Sequence, residues 1–307
     1  MRRTRTALTT TACIAALAIG LSGCAPEPGG PSAQPGRSEP GGSPRTSAPG
    51  LDPSAPESTV TDPARPDPAT AAKPDIDQAE LDRRLRDAAW ANDVAGAEQL
   101  IAWGADVNAT DETVQSAYLI ATSEGRTELL QLTLDHGADV NALDSWHGTG
   151  LIRAAERGHW DVSGALLRAG VSVDHVNNLG FQAIHEAVWL GRDDPTYHAT
   201  LRVLVAGGAA FDTPSTVQWL TPLQMAEQRG FAGSAAVLRT LTSTPLPADP
   251  AAALLAAAES GDPDAVAIAL RAGADPATKH SSGATARELA EHAGAAAAAQ
   301  VIRALGG

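Results

Sequence analysis

Gly104, Gly137 and Gly170 recur with a period of 33, each inside a near-copy of one phrase: Ala102-Trp103-Gly104-Ala105-Asp106-Val107-Asn108, Asp135-His136-Gly137-Ala138-Asp139-Val140-Asn141 and Arg168-Ala169-Gly170-Val171-Ser172-Val173-Asp174. A period of that length marks a supersecondary unit that cannot bury its apolar face alone and stacks on copies of itself. Such a stack presents one long surface rather than an enclosed pocket. Its expected function is therefore binding another macromolecule.

Within one unit the chain reads helix, tight turn, helix, loop. The spacing predicts a short first helix over Ala117 to Ser123, a turn at Glu124-Gly125-Arg126 and a second helix over Thr127 to Leu134, with Thr127 or Glu128 capping its start. Gly125 and Gly137 close the two helices, where a left-handed residue costs least without a Cβ. Helices shorter than about 12 residues are marginal alone in water, so stacking must supply the core.

The wording of these units resembles ankyrin repeats. The matching segments are Ala154-Ala155-Glu156-Arg157-Gly158-His159, Gly180-Phe181-Gln182-Ala183-Ile184-His185-Glu186-Ala187, Thr221-Pro222-Leu223-Gln224-Met225-Ala226, Ala272-Gly273-Ala274-Asp275 and Gly283-Ala284-Thr285-Ala286. The resemblance implies an all-α solenoid of about seven helix-turn-helix units with β-turn fingers, over residues 76–307. The turn residues Asn92, Gly125, Gly158, Gly191, Gly230, Gly261 and Gly294 step by 33, 33, 33, 39, 31 and 33. The long step locates an insertion at Arg192 to Tyr197, and Thr242 to Pro250 reads as a connector that kinks the stack. The charged segment from Leu81 to Asn92 and the alanine-rich one from Ala293 to Leu305 read as polar caps for the two ends.

The segment 1–75 belongs to another class. Arg2, Arg3 and Arg5 precede an uncharged stretch whose apolar part, Ala12 to Leu21, is too short for a permanent membrane span. It reads as an export signal, by the general secretory route because Thr4-Arg5-Thr6 lacks the apolar residues expected after a twin-arginine pair. The signal ends in Leu21-Ser22-Gly23-Cys24, which resembles the lipobox of bacterial lipoproteins. That implies loss of residues 1–23, lipidation of Cys24, and an anchor on the extracytoplasmic side of the cell membrane. The competing reading is a secretory signal with an incidental cysteine. The two cysteines, Cys13 and Cys24, leave the repeats without a thiol or disulfide. From residue 24 to 75 the chain is rich in Pro, Gly and Ser, holding 13 of the 21 prolines. Such a composition cannot offset its ordering entropy and is expected to act as a disordered tether.

The same segment, 1–75, carries seven groups of each sign, so the remainder carries 15 basic against 29 acidic groups and the entire net charge of −14. Nucleic acid, whose phosphates need a basic surface, is excluded as a partner. A basic protein partner fits, bound by a monomer. In ankyrin proteins the fingers and the exposed ends of the first helices line a concave binding face, so the resemblance assigns to it Trp90, Trp103, Trp146, Trp189 and Trp219, with Glu112, Glu124 and Glu156. Tryptophan on a surface is enriched among binding hot spots. The alternatives are rings packed between repeats and carboxylates that are merely solvated.

No catalytic, cofactor or metal constellation is legible. His185-Glu186 runs into Ala187-Val188-Trp189 and fails as a zinc-protease motif, and there is no Gly-x-Ser-x-Gly elbow or phosphate loop. His185 instead falls in the family's structural histidine slot, where it bonds turn backbone. The chain reads as a tethered protein-binding module rather than an enzyme. The second reading is an immunity or inhibitor protein neutralising a toxin or hydrolase at the envelope, and a third is a passive envelope organiser.

Overall fold

The computed structural model describes residues 72–307; the segment read as an export signal, Cys24 and nearly all of the proline-rich segment read as a tether lie outside them. The described residues form fourteen α-helices in seven pairs and no strands. The pairs are α1 (Gln78–Ala91) with α2 (Val94–Ala102), α3 (Ala117–Ser123) with α4 (Thr127–Asp135), α5 (Gly150–Glu156) with α6 (Trp160–Arg168), α7 (Ala183–Trp189) with α8 (Pro195–Ala206), α9 (Pro222–Arg229) with α10 (Ala232–Ser243), α11 (Pro250–Ser260) with α12 (Pro263–Arg271), and α13 (Ala286–His292) with α14 (Ala296–Ala304).

The recurring phrase works through side chains that tie each repeat to the next. Asp106 and Asp139 accept the backbone N–H groups of Asn108 and Asn141, both at 2.9 Å, and so close the turn. Asn108, Asn141 and Asp174 then accept N–H groups of the following repeat, from Asp139, Ser172 and Ala210, at 2.8–3.0 Å. First helices are held at their starts by side chains three positions apart. Thr221 and Gln224 exchange such bonds in α9, as do Thr285 and Glu288 in α13. His185 fills the equivalent place in α7: its Nδ1 accepts the Gln182 N–H at 3.2 Å while Nε2 lies 3.0 Å from the Thr213 carbonyl. That pairing fixes a neutral ring protonated on Nε2, and burial lowers its pKa.

Two local expectations are corrected. The second helix of repeat two has Arg126 at its cap position and no side-chain cap; the Thr127 hydroxyl reaches the next repeat and donates to Asp161 at 3.0 Å. Helix α1 begins at Gln78, ahead of Leu81, because Asp77 accepts the Glu80 N–H at 2.8 Å.

The insertion in repeat four supplies a cap to its neighbour. Helix α10 has Phe231 at its cap position, which offers no acceptor. Asp193, at the start of the inserted loop, accepts the N–H groups of Gly233 and Ser234 at 2.9 and 2.7 Å and a bond from His198 Nε2 at 2.8 Å. Burial opposes ionisation of this carboxyl, but those bonds outweigh it and hold the pKa at about 2.

The connector does more than kink the stack. First helices pack in order from α1 to α9, yet α9 and α11, which a continuing stack would pair, make no substantial contact. Instead the chain doubles back, so that α12 packs on α8 and α14 packs on both α8 and α6. Repeats six and seven thus sit on the second-helix side of repeats three and four. The C-terminal helix is correspondingly no solvent-facing cap.

Helix composition accounts for this return. In α4 only Leu129, Leu130 and Thr133 are buried, a single stripe, whereas α12 buries the unbroken run Val266-Ala267-Ile268-Ala269-Leu270. A helix that is apolar all round needs neighbours on every side. Gly164 in α6 lets the backbones close, since a Cβ there would strike the carbonyl of Ala304. Arginines complete the contact from both sides. Arg168, near the end of α6, donates to the Ala304 carbonyl at the end of α14. Arg271, its counterpart in repeat six, donates at 3.0 Å to the carbonyl of Val205 in the last turn of α8 and at 2.8 Å to that of Ala209 just beyond it. Arg202 pairs with Asp264 at 2.6 Å, and Arg303 lies 5.1 Å from the centre of the Trp160 ring.

Two outcomes follow for chemical denaturation. Arg271→Ala, which unbinds two carbonyls and uncovers the Phe211 ring, should cost about 2–3 kcal/mol, against less than about 1 kcal/mol for Arg239→Ala in its exposed pair with Glu227. Equal losses would contradict the packed return. Asp193→Ala should cost about 1 kcal/mol at neutral pH. The unfolded carboxyl has the higher pKa, so this contribution exists above about 4 and the gap between variant and parent should close as pH falls from about 4 through 2.

Candidate functional site

The first-helix side of repeats one to five is the array face that the returning pair leaves uncovered. It has two edges: the fingers, which feed the helix starts, and the turns at the helix ends.

The fingers are built alike. In residues 111–115, 144–148 and 177–181 the leading Asp111, Asp144 or Asn177 accepts backbone N–H groups two and four positions on, at 2.8–3.0 Å. The chain must then turn back through a left-handed residue. Gly180 and Gly283 do so freely in repeats four and seven, but Val114, His147 and Trp219 do so at φ of 63°, 56° and 59°. A side chain in that conformation costs on the order of 1 kcal/mol, a strain found where function holds it in place. Neighbouring fingers are joined: the Asn178 N–H donates to the Trp146 carbonyl at 3.0 Å and the Thr216 N–H to the Gly180 carbonyl at 3.1 Å. The tips are apolar and exposed: Val114, Trp146, Leu179, Val217 and Trp219, the last with 76% of its surface free.

The eight residues singled out in the sequence fall into different settings. Trp146 is 47% exposed on the third finger, Trp219 stands on the fifth, and Glu112 is exposed on the second. Trp90, at the end of α1, is 49% exposed. Trp103 and Trp189 are only partly exposed and pack against the core. Trp189 sits 6.0 Å from the Phe181 ring and under the Arg229 guanidinium at 5.9 Å, which gives it a packing role between repeats four and five. Glu124 pairs with Arg157 at 2.6 Å, at the mouth of a polar cleft of about 400 Å³ whose walls include Ser123, His159, Arg192 and Tyr197. The inserted loop of repeat four forms one side of that cleft.

Glu156 joins a group that sequence reasoning missed. Arg153 on α5 pairs with Asp144 at 2.6 Å and with Glu156 at 2.8 Å. Glu186, in the place on α7 that Arg153 occupies on α5, is 2% exposed; Asn177 Nδ2 donates to its Oε1 at 2.6 Å and no donor meets its Oε2. Burial drives the Glu186 pKa up to about 7, and Glu156 and Asp144 add to the rise against the pull of Asn177 and Arg153. The one signal available was the parallel nine-position spacing of Asp144 to Arg153 and Asn177 to Glu186.

This carboxyl sets a pH dependence of opposite sign to that of Asp193. Between about 4.5 and 7 the folded state keeps a proton that the unfolded chain has released, so stability from this group is complete below about 4.5 and is lost as pH rises through 7. Glu186→Gln should therefore stabilise the fold by about 1–2 kcal/mol at pH near 8 and change it little near pH 4, read by thermal unfolding at both pH values. A loss of stability near pH 8 would contradict the unpaired carboxylate.

Comparison with known proteins agrees with this construction. The family model for ankyrin repeats in three copies matches residues 118–214. The ankyrin repeat protein YahD of Escherichia coli (strain K12) is 30% identical over 135 residues, covering 44% of this chain and 67% of YahD. The ankyrin repeat protein R664 of Acanthamoeba polyphaga mimivirus is 36% identical over 80 residues, 24% of this chain and 49% of that protein. Among solved structures, an ankyrin repeat domain from Acinetobacter baumannii AYE shares 41% identity, covering 50% of this chain and 79% of that chain with a TM-score of 0.47. The chain thus spans two thirds of one curated relative and about half of the other. With the repeat phrase, the capped first helices and the linked fingers in place, the chain belongs to the ankyrin repeat family.

Proposed function

We propose that this chain is a membrane-anchored protein-binding module, held by a lipid on Cys24 at the extracytoplasmic side and carrying its repeats outward on the proline-rich tether. Ankyrin repeats indicate a protein-protein interaction module. The observation that supports the binding face is the row of exposed apolar tips on fingers joined by backbone hydrogen bonds. Large rigid rings presented on an ordered ridge bury much area at little entropic cost. The partner is a protein with basic groups around an apolar centre, because the array carries all of the net charge of −14. The role is binding rather than catalysis, and the working unit is one chain.

Crosslinking of the native envelope protein followed by mass spectrometry should identify the partner. Replacing both Trp146 and Trp219 with alanine should weaken its capture about thirtyfold or more with the melting temperature unchanged, since both rings project from the fold. Capture equal to that of the parent would refute the finger face. Cys24→Ser should move the protein from the membrane fraction to the soluble extracytoplasmic fraction, and retention at the membrane would refute the anchor.

A further inference from the structure

We propose that the open cleft at the turns of repeats two to four, walled by Glu124, Arg157, Arg192, Asp194, Thr196 and Tyr197, holds a carboxylate of the protein partner, from an acidic side chain or a chain terminus. The inference rests on the protein-binding reading and adds a second point of recognition to it, at the turn edge of the face rather than the fingers.

The cleft is accessible and has room. Its volume of about 400 Å³ lies within the range of ligand sites, and Arg157, Arg192 and Thr196 in its walls are exposed. Most of its polar groups are already engaged. Tyr197 donates its hydroxyl to the Glu156 carbonyl at 3.0 Å, and His159 Nε2 donates to the Ser123 carbonyl at 3.1 Å. Asp194 accepts the N–H groups of Thr196 and Tyr197 at 2.9 and 3.2 Å. Glu124 accepts from Nη1 of Arg157 at 2.6 Å, and the same nitrogen reaches the Ser123 carbonyl at 3.1 Å. The acceptors left over are one oxygen each of Glu124 and Asp194, on carboxylates already held. The donors left over are Nε and Nη2 of Arg157, the Thr196 hydroxyl and the whole guanidinium of Arg192, which forms no hydrogen bond or ion pair among the described residues.

The two arginines converge. Burial raises the Tyr197 pKa while the charges of Arg192 and Arg157 pull it down, which sets both guanidinium groups within reach of one phenol. Glu124 offsets Arg157. Asp194 is turned to the start of α8, so Arg192 keeps its donors for a group from outside. Arg192, Asp194 and Thr196 all belong to the stretch that lengthens repeat four, so the insertion itself brings the unspent guanidinium to the cleft.

This donor set suits a carboxylate better than a phosphate. His159 is neutral, since burial lowers its pKa, and the walls therefore carry two positive and two negative charges. A singly charged group meets less repulsion there than a doubly charged one. The first N–H groups of α8, which a phosphate would use at a helix start, are taken by Asp194. A planar carboxylate needs one edge of a guanidinium for two parallel bonds, and Arg192 offers it.

The test uses the isotope-labelled full-length chain with glycine-X-glycine peptides blocked at both ends, X being glutamate or glutamine, with triglycine bearing a free carboxyl terminus, and with inorganic phosphate. The glutamate or the free-carboxyl peptide should shift the Arg192 Nε–H and Thr196 amide signals saturably below about 100 mM, with the glutamine peptide inert and phosphate no tighter. The tighter of the two carboxylates names the source. Arg192→Ala should weaken the Thr196 response about tenfold with the melting curve unmoved, whereas Arg239→Ala, which removes an equal charge from an exposed pair with Glu227, should respond as the parent does. Silence from both carboxylates, equal shifts from glutamine, tighter binding of phosphate, or an undiminished response in the folded Arg192→Ala chain would each overturn the site. If the cleft fails while the Trp146 and Trp219 replacements still weaken capture, the finger face stands without it; if capture also survives those replacements, both readings fall.

Discussion

Everything in this domain follows from the inability of a short helix pair to bury its own apolar surface. First helices as short as Ala117–Ser123 or Gly150–Glu156 cannot persist alone in water, and each repeat leans on the next through Asn108, Asn141 and Asp174. The unusual step is taken by the second helices. Those of repeats three and four serve two sets of neighbours at once, their own row on one side and α12 and α14 on the other. The pairing of Arg168 with the end of α14 and of Arg271 with the end of α8 gives this contact a reciprocal character, like two repeat pairs meeting back to back within one chain.

That return has a functional consequence. A simple row of repeats offers both sides to solvent, whereas here part of the second-helix side is consumed by the chain itself. The fingers and first helices are thereby left open, and they form the face proposed for recognition. Residues on that side show the costs associated with function: three non-glycine residues in left-handed conformation at finger tips, and a buried carboxyl lacking a donor at one oxygen. Neither feature helps the fold. Sequences tend to break local rules where binding requires it.

Much of the fold is legible in the sequence because the repeat phrase is a set of local instructions. Gly125 turns a helix in any context, and His185 can satisfy Gln182 three positions away. The insertion at Arg192 to Tyr197 is located by its effect on spacing, but its purpose is not, because Asp193 caps a helix that starts only after Phe231. The return of repeats six and seven is also hidden. Its signals are the unbroken apolar run Val266–Leu270 and a glycine in mid-helix at Gly164, and neither announces which surface it will meet. Candidate site residues fare unevenly for the same reason. Repeat position alone gives Trp146 and Trp189 similar claims, yet the neighbours of Trp189, Phe181 and Arg229, cover it. Glu186 looks in sequence like half of a failed metal motif, and its isolation depends on Asn177 and on the preceding repeat.

The doubling back of the chain is the claim on which the accessible face depends, and one glycine reports on it. Gly164 belongs to repeat three and Ala304 to repeat seven, so in an uninterrupted stack three intervening repeats would separate them; here a Cβ on Gly164 would fall 2.3 Å from the Ala304 carbonyl oxygen. Gly164→Ala should therefore lower stability by about 1–3 kcal/mol in chemical denaturation. A gain of up to about 1 kcal/mol, the ordinary effect of replacing a mid-helix glycine with open space around it, would contradict the account.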